Sequence, residues 1–540
     1  MDKTPETEGQ VEPEKLDFDN MTPRQLRRYL QDKFVIVASN RGPVEFRREP
    51  DGEIRARRGA GGIVTAMSTA LLATEAVWIS PARTPEDAEM ALRSEDGKLG
   101  MPPEDPQYWV KFIKPDPEQF RLYYDVISNS LLWFMQHYMF NVPEAPVIDK
   151  ETNRAWDEGY RAVNRLFAEE VLREIESTDR QPLIFLQDYH LYLCARYIRE
   201  RAPHALIHHF THSPWIQPDY FHLLPARMRR EILQGLLSCD VVGFHTPRYA
   251  ANFLQCCHEG DAVRVSLNMK KRSVSYGGRE VLVRHYPISI DHEALQRTAA
   301  RPEVEEKRRR LRQWASEGIL LVRVDRIEPS KNILRGLQSF RLFLRYFPQW
   351  RGRVTFAVLL YPSRESIPSY RRYRESIEEE VRKINGEFSA DGWEPVRLEI
   401  EDDYLRSVAA LCEYDALMVN PVFDGMNLVA KEGAVLNRRD GVILLSVNAG
   451  AYAEMKGAVL PVNPLDIWDT AQLLNHALSM PAERRRTMAL RAREIVMQNT
   501  SFKWLLRQIQ NLRRAERIKQ EEQPLLLEST LKFPSWIRQI

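Results

Sequence analysis

Arg326 and Lys331 stand five residues apart, just after the apolar run 319–325 and at the opening of a helical pattern. Two fixed cations beside free helix N–H groups suit a pyrophosphate leaving group, because they neutralise the charge that grows as its bond breaks. Ion pairing with Asp325 and Glu328 is the ordinary alternative for such residues. Ser330 reads as the N-cap of the next helix. Arg364, in Pro362-Ser363-Arg364 after the run 354–361, adds a third cation at the same kind of position. After the run 416–420, Asp424-Gly425-Met426-Asn427-Leu428-Val429 makes a polar turn into a helix that carries Glu432 two turns on. The N–H groups of such a turn can hold sugar hydroxyls or phosphate, and Glu432 can accept from ribose hydroxyls; a capping turn with a solvated glutamate shows the same pattern.

The first half of the chain repeats the theme. Asn40-Arg41-Gly42-Pro43 follows the run 34–39, and Arg58-Gly59-Ala60-Gly61-Gly62 opens an apolar helix, where glycines either let N–H groups approach a phosphate or only make a tight turn. Asp188 and His190 follow 182–187 and His212 follows 206–211, which places all three at one edge of any sheet these runs build. A single such histidine more often serves structure. No His, Cys and Asp group has metal-ligand spacing, and neither G-x-x-x-x-G-K-[ST] nor G-x-S-x-G occurs.

The elements that must position these residues are two series of short apolar runs separated by helical patterns. The first series is 34–39, 76–80, 182–187, 206–211 and 241–246; the second is 319–325, 354–361, 396–400, 416–420 and 441–447. Amphipathic stretches such as 160–176, 191–201 and 332–347 lie between, the last with Ile333, Leu334, Leu337, Phe340, Phe343 and Leu344 at helical spacing. This alternation predicts an α/β protein with parallel sheets. A chain of 540 residues exceeds the about 250–300 at which one core stops growing, so two domains are expected. The expected division is an acidic tail with a short helix over 1–33, opening at Thr22-Pro23, with order beginning near Phe34; Rossmann-like domains over 34–290 and 291–485; and a C-terminal segment, 486–540. In that last segment one long basic helix, roughly 485–520, carries Trp504 and Leu505 and crosses between the two domains.

Composition narrows the class. With 44% hydrophobic and 28% charged residues the chain reads as an ordinary globular protein. Its 77 Lys and Arg against 75 Asp and Glu leave +2, so no global field attracts nucleic acid or an anionic membrane. Nothing reaches the roughly 18 apolar residues of a membrane span. Five scattered cysteines and no secretory leader point to a reduced, cytoplasmic setting. Small phosphorylated ligands remain, since they need a few placed cations and no net charge.

Taken together, SNRGPVEF, GAGGIVTAM, YYDVISNSLLW, QDYHL, HSPW, GFHT, VDRIEPSK, PSR and DGMNLVAKEG resemble, in order and spacing, the trehalose-6-phosphate synthase family from about Phe34 to Trp504. That resemblance implies a retaining glycosyltransferase of GT-B architecture: two Rossmann-like domains facing across a cleft, with no cofactor and no metal requirement. It implies glucose transfer from UDP-glucose or GDP-glucose, with ADP-glucose used by some members, to glucose 6-phosphate, giving α,α-trehalose 6-phosphate. By matched position, Arg326 and Lys331 would hold the donor diphosphate with the Gly62 backbone. His212 would meet the donor sugar near its 6-hydroxyl, Asp424 and the backbone of Met426, Asn427 and Leu428 its other hydroxyls, and Glu432 the nucleotide ribose, with Val429 also on the donor side. Arg41, Tyr124, Trp133 and Arg364 would recognise glucose 6-phosphate, with Asp188 near its reacting end. Relatives that act on other phosphorylated acceptors, such as glucosylglycerol-phosphate synthases and pseudo-glycosyltransferases, keep a second reading open, as does a non-catalytic sugar-phosphate sensor; a homo-oligomer is compatible with all of them. The departures Ile327-Glu328-Pro329-Ser330-Lys331-Asn332, Gln187-Asp188-Tyr189-His190 and Pro421-Val422-Phe423-Asp424 adjoin both pockets and leave Arg326, Lys331, Asp188 and Asp424 in place.

Overall fold

The computed structural model describes residues 17–530, apart from 19, 59–75, 95–96, 105, 260–262, 316–317, 366 and 391. Gly62 and the rest of its glycine loop therefore lie outside the described residues. In chain order the strands of the first half are β1 (Lys33–Ala38), β2 (Val44–Arg48), β3 (Ile54–Arg58), β4 (Val77–Pro81), β5 (Lys98–Met101) and β6 (Tyr108–Ile113). They continue with β7 (Gln181–Gln187), β8 (Leu206–Phe210), β9 (Val241–Phe244), β10 (Ser266–Asn268), β11 (Ser273–Tyr276) and β12 (Arg279–His285). All but β2 and β3 join one sheet, in the order β10-β11-β12-β9-β8-β7-β1-β4-β6-β5. From β12 to β6 its pairs are parallel, with antiparallel strands only at the two edges. The polar stretch after β1 is the β2–β3 hairpin.

The second half holds β13 (Ile319–Arg326), β14 (Val354–Tyr361), β15 (Val396–Ile400), β16 (Ala416–Val419), β17 (Val442–Ser446) and β18 (Leu460–Val462). Their order is β15-β14-β13-β16-β17-β18, parallel throughout. Numbered from β13, this is 3-2-1-4-5-6, whose direction of winding reverses between the first and fourth strands. The parallel part of the first sheet reverses in the same way between β1 and β7. These runs are apolar on both faces because helices cover both: β14 buries every residue except Tyr361. Ligand sites are thus expected beyond β1 and β7 in one sheet and beyond β13 and β16 in the other.

Both ends of the chain depart from expectation. The helix Pro23–Tyr29 is capped as predicted, Gln25 N–H donating to Thr22 Oγ1 and Thr22 N–H to Gln25 Oε1. Order, however, does not wait for Phe34. Phe18 and Met21 are buried, and the Phe18 ring meets Tyr29 edge-on at 5.5 Å beneath the Arg513 guanidinium. An isolated aromatic in an acidic stretch gives little periodic signal, yet it fills a core. The single helix expected over 485–520 is two, Ala482–Met497 and Ser501–Thr530. Thr500 makes the break: its Oγ1 accepts from Lys503 N–H and its carbonyl from Trp504 N–H, so it starts a new helix. The first helix packs on the helix Leu428–Leu436, and the second on β8, β9 and β12. All five cysteines are buried and unpaired, and no described helix is long and apolar enough to cross a membrane.

Candidate active site

Beyond β13 the chain makes a short turn, Pro329–Lys331, and the next helix begins only at Ile333. Ser330 is not its N-cap; Asn332 holds that position in a left-handed conformation (φ 60°) and spends its amide on the carbonyls of Asn420 and Pro464. The turn is fixed from below. Fully buried Arg323 donates from Nε to Asp325 at 2.9 Å and from Nη2 to the Lys331 carbonyl at 2.6 Å. Val422 N–H donates to Ser330 O, tying the turn to the loop beyond β16. Lys331 Nζ reaches across that loop to Asp424 Oδ2 at 2.5 Å, and Asn427 donates to the same oxygen. Burial disfavours both charges, but each is held by the other: Lys331 is raised above and Asp424 lowered below its ordinary value.

Arg326 is half-exposed and stands 3.3 Å from Glu328. Glu328 is buried, and against that burial Arg326, Arg364 and Lys331 together hold its carboxyl down to about 2. The pairing foreseen for Arg326 therefore exists, while Lys331 takes Asp424 in place of Asp325. Asn427, with φ 70°, starts the helix Leu428–Leu436, whose first turn no side chain caps. Its N–H groups are available to an anion. Glu432, one turn in, has no charged partner among the described residues, and burial pushes its carboxyl up to about 7.

Gly425 accounts for the close fit of this loop. A Cβ there would lie 1.7 Å from the carbonyl oxygen of His212, which belongs to the other half, so only glycine allows the contact. Tyr249 Oη donates to the Asp424 carbonyl, and the rings of Tyr138 and Phe423 meet at 4.5 Å. Residues beyond the carboxyl ends of the two sheets thus face and touch one another.

On the first half, Asp188 follows β7 with φ 69°, a conformation rare outside glycine. Its carboxylate accepts from His212 N–H at 3.1 Å, and burial raises it to about 6 despite that bond. His212 Nε2 donates to Gln187 Oε1 at 2.9 Å; burial, then His245, keeps the imidazole neutral. His190 lies deeper, stacked on Tyr189, and burial likewise lowers its basicity. Past β1, Ser39 Oγ donates to the Arg41 carbonyl and accepts from Trp78 Nε1, shaping the turn that presents Arg41. Tyr124 lies on a π-helical stretch, Leu122–Leu132, which Trp133 follows. Arg364, with φ 45°, lies 5.2 Å over the Trp133 ring and donates to Tyr370 Oη. It also stands 3.5 Å from Glu328, next to the donor-side cations.

Of the expected residues, Arg326, Lys331, Asp424, Asn427 and Glu432 lie beyond β13 and β16, and Arg41, Tyr124, Trp133, Asp188 and His212 belong to the first half. Arg364, from the end of β14, stands between them, over Trp133 and beside the Glu328 that Arg326 contacts. Met426 is buried in the core, and Leu428 and Val429 open the helix with their side chains partly packed on that core. Arg83 was missed. It lies two residues past the end of β4, as Arg41 lies three past the end of β1, so the rule of looking past each strand end would have found it. Its guanidinium lies 5.3 Å from the Tyr124 centroid. Burial opposes ionisation of Tyr124, yet Arg83, Arg364 and Arg41 bring the phenol down to about 8.

The sequence profile of glycosyltransferase family 20 matches residues 33–514. A bifunctional trehalose-6-phosphate synthase/phosphatase of Thermoproteus tenax is 34% identical over 87% of this chain, which spans 62% of that protein's length. A UDP-forming α,α-trehalose-phosphate synthase of Aspergillus fumigatus is 31% identical, over 88% of this chain and 95% of its own. Among solved structures, an Escherichia coli protein of the trehalose-6-phosphate system bound with UDP-2-fluoro glucose superposes with a TM-score of 0.74 at 26% identity, over 89% of this chain and 98% of that one. The α,α-trehalose 6-phosphate synthase of Burkholderia multivorans gives 0.76 at 27%, over 91% and 98%. The two facing parallel-sheet halves are those of a GT-B glycosyltransferase, and the chain belongs to glycosyltransferase family 20.

Proposed function

We propose that this protein transfers glucose, with retention, from a nucleotide-glucose donor to O1 of glucose 6-phosphate, forming α,α-trehalose 6-phosphate. The observation that carries this reading is the placement of two adjoining cation sets: Arg326 and Lys331 beside an uncapped helix start, and Arg41 and Arg364 around Tyr124, with Arg364 next to the first set through Glu328. The first set suits a diphosphate, the second a sugar phosphate. Names of relatives favour UDP-glucose as the donor to test first, ahead of GDP- and ADP-glucose.

In the proposed reaction the bond from C1 of the donor glucose to the diphosphate oxygen breaks, and its electron pair leaves with the diphosphate. Arg326, Lys331 and the first N–H groups of Leu428–Leu436 stabilise that charge, which is greatest after bond breaking. Asp424 keeps Lys331 aimed and protonated. O1 of the acceptor attacks from the face the diphosphate is leaving, and its proton passes to a diphosphate oxygen. His212 and Asp188 bound the sugar where the halves touch; neutral His212 donates or accepts without adding a charge. Glu432 accepts from ribose hydroxyls.

Mixing the purified chain with UDP-glucose and glucose 6-phosphate, and measuring nucleotide release with product identification, tests the proposal. Release with glycerol 3-phosphate or a cyclitol phosphate in place of glucose 6-phosphate would move the acceptor assignment. Binding of sugar phosphate with no release from any donor would replace the enzyme by a sensor.

A further inference from the structure

Arg83 belongs to no ion pair among the described residues, and its backbone is held firmly. Asp87 accepts from Arg83 N–H at 2.9 Å, from Thr84 N–H at 3.1 Å and from Phe46 N–H at 2.8 Å. Thr84 returns a bond to the Phe46 carbonyl and caps the helix Pro85–Ala91. The nearest carboxylate in sequence, Asp87, is buried and committed to these N–H groups, so it leaves the Arg83 guanidinium to the cleft. There the guanidinium covers Tyr124, and a small pocket joins it to Arg41, Gly42, Val44, Glu45 and Pro81.

Three arginines from three different strand ends act on the same groups. The acidity of Tyr124 and the low basicity of His190 both register Arg41, Arg83 and Arg364, after the larger effect of burial. Among the described residues, Arg364 alone of these arginines is within ion-pair distance of a carboxylate, Glu328, which it shares with Arg326; Arg83 acts on Asp125 only at longer range. Of the other acids on this side, Glu45 pairs with Arg47, Asp87 is committed to backbone N–H groups, and Asp125 and Asp188 are raised by burial. Arg41 and Arg83 therefore keep guanidinium donors that no carboxylate takes up at ion-pair distance among the described residues. A ligand of charge −2 supplies the partner they lack.

We propose that Arg83 is a third phosphate-recognising residue of the acceptor site, selecting a dianionic sugar phosphate over neutral or singly charged analogues. The inference rests on the glucosyl-transfer reading and names how that site reads its acceptor. A guanidinium braced on an aromatic face keeps its fork of donors in one plane and presents two N–H groups to phosphate oxygens.

The test compares Arg83→Ala, Arg83→Met and Arg83→Lys with the unsubstituted protein at saturating UDP-glucose. Expected is a rise of about tenfold or more in KM for glucose 6-phosphate in the Ala and Met variants, with kcat and the donor KM within about twofold and partial recovery in the Lys variant. The preference for glucose 6-phosphate over glucose 6-sulfate should fall by a similar factor, a readout that a merely structural role would not move. Arg83→Met preserves the stem that packs on Tyr124, so a KM effect shared by Ala and Met is a charge effect. An unchanged KM and an unchanged phosphate-to-sulfate ratio would overturn the proposal. Calorimetric titration of glucose 6-phosphate into each protein with UDP present separates the two claims. A chain that binds but never turns over sinks the transfer reading, and the ratio of binding constants then decides the role of Arg83 by itself.

Discussion

Glu432→Gln removes a carboxyl whose proton affinity burial raises from 4.5 to about 7. A carboxyl that binds its proton more tightly folded than unfolded costs stability, and the cost grows as pH rises from the unfolded value and is complete above the folded one. The interval corresponds to at most about 3–4 kcal/mol, at about 1.4 kcal/mol per tenfold change in proton affinity. Glutamine keeps the shape without the charge, so at pH 8 the variant should be more stable by up to that amount, and at pH 5 by less than about 1 kcal/mol. For a chain of 540 residues with about 2.1 cal/mol/K of unfolding entropy per residue, this is a gain of about 3 °C in Tm at pH 8, and roughly twice that or more if the second half melts alone. The proposed role works the other way: losing a charged acceptor for ribose hydroxyls should raise the donor KM about tenfold or more. Differential scanning calorimetry at both pH values, with initial rates at pH 8, measures both. A Tm that falls at pH 8, or rises equally at pH 5, refutes the claim that burial destabilises this charge. An unchanged donor KM refutes the claim that the reaction retains it.

Arg326→Ala should lower kcat by about 10²–10³ with Tm almost unchanged, since the side chain is half-exposed and Glu328 keeps Arg364; a small kcat effect in single-turnover assays would remove it from the leaving-group site. Lys331→Ala should lose comparable activity and also about 3 kcal/mol of stability, because it strands Asp424 in a buried position; denaturant midpoints that match those of Arg326→Ala would contradict the buried pair. Gly425→Ala should abolish turnover and lower Tm, the added methyl meeting the His212 carbonyl, and full activity would show the two halves do not meet there. Glu328→Gln should destabilise at pH 7 and progressively less as pH falls from 4.5 toward about 2, because a lowered carboxyl contributes stability only where it is charged; a pH-independent loss would refute the sign.

Five strands of each sheet and the cations at their ends were legible because buried parallel strands announce themselves as short apolar runs, and the residues just past each run must lie at the sheet edge; β5, β6, β10, β11, β12 and β18, short or broken by polar residues, were not read. Arg41, Arg326, Lys331, Arg364, Asp188 and His212 came from that rule, while Tyr124 and Trp133 came only through family resemblance, since a π-helical stretch has no sequence signature of its own. The pairing of Lys331 with Asp424 joins residues 93 positions apart, which local pattern cannot foresee. Ser330 failed as a cap because Asn332 could adopt φ 60° and close the turn two residues later. Phe18 and Thr500 show the same limit at the termini: one aromatic and one hydroxyl, each decisive only once the opposing surface is known.

Lys431, the neighbour of Glu432, points to the other side of the same helix. It is buried, pairs with Glu454 at 2.5 Å and donates to the carbonyl of Ile288 at 2.8 Å, within the crossing segment 286–291 that leads from β12 to the helix His292–Ala299. The helix that offers its first turn to the donor is therefore pinned, at its middle, to the strap about which one half must swing against the other. The Lys431 ammonium thus ties that segment to the helix, beside the direct packing of His292–Ala299 on it. In the proposed reaction, a change in the angle between the halves would reach the Asp424 turn through this tie, linking the hold on the donor to the closure of the halves.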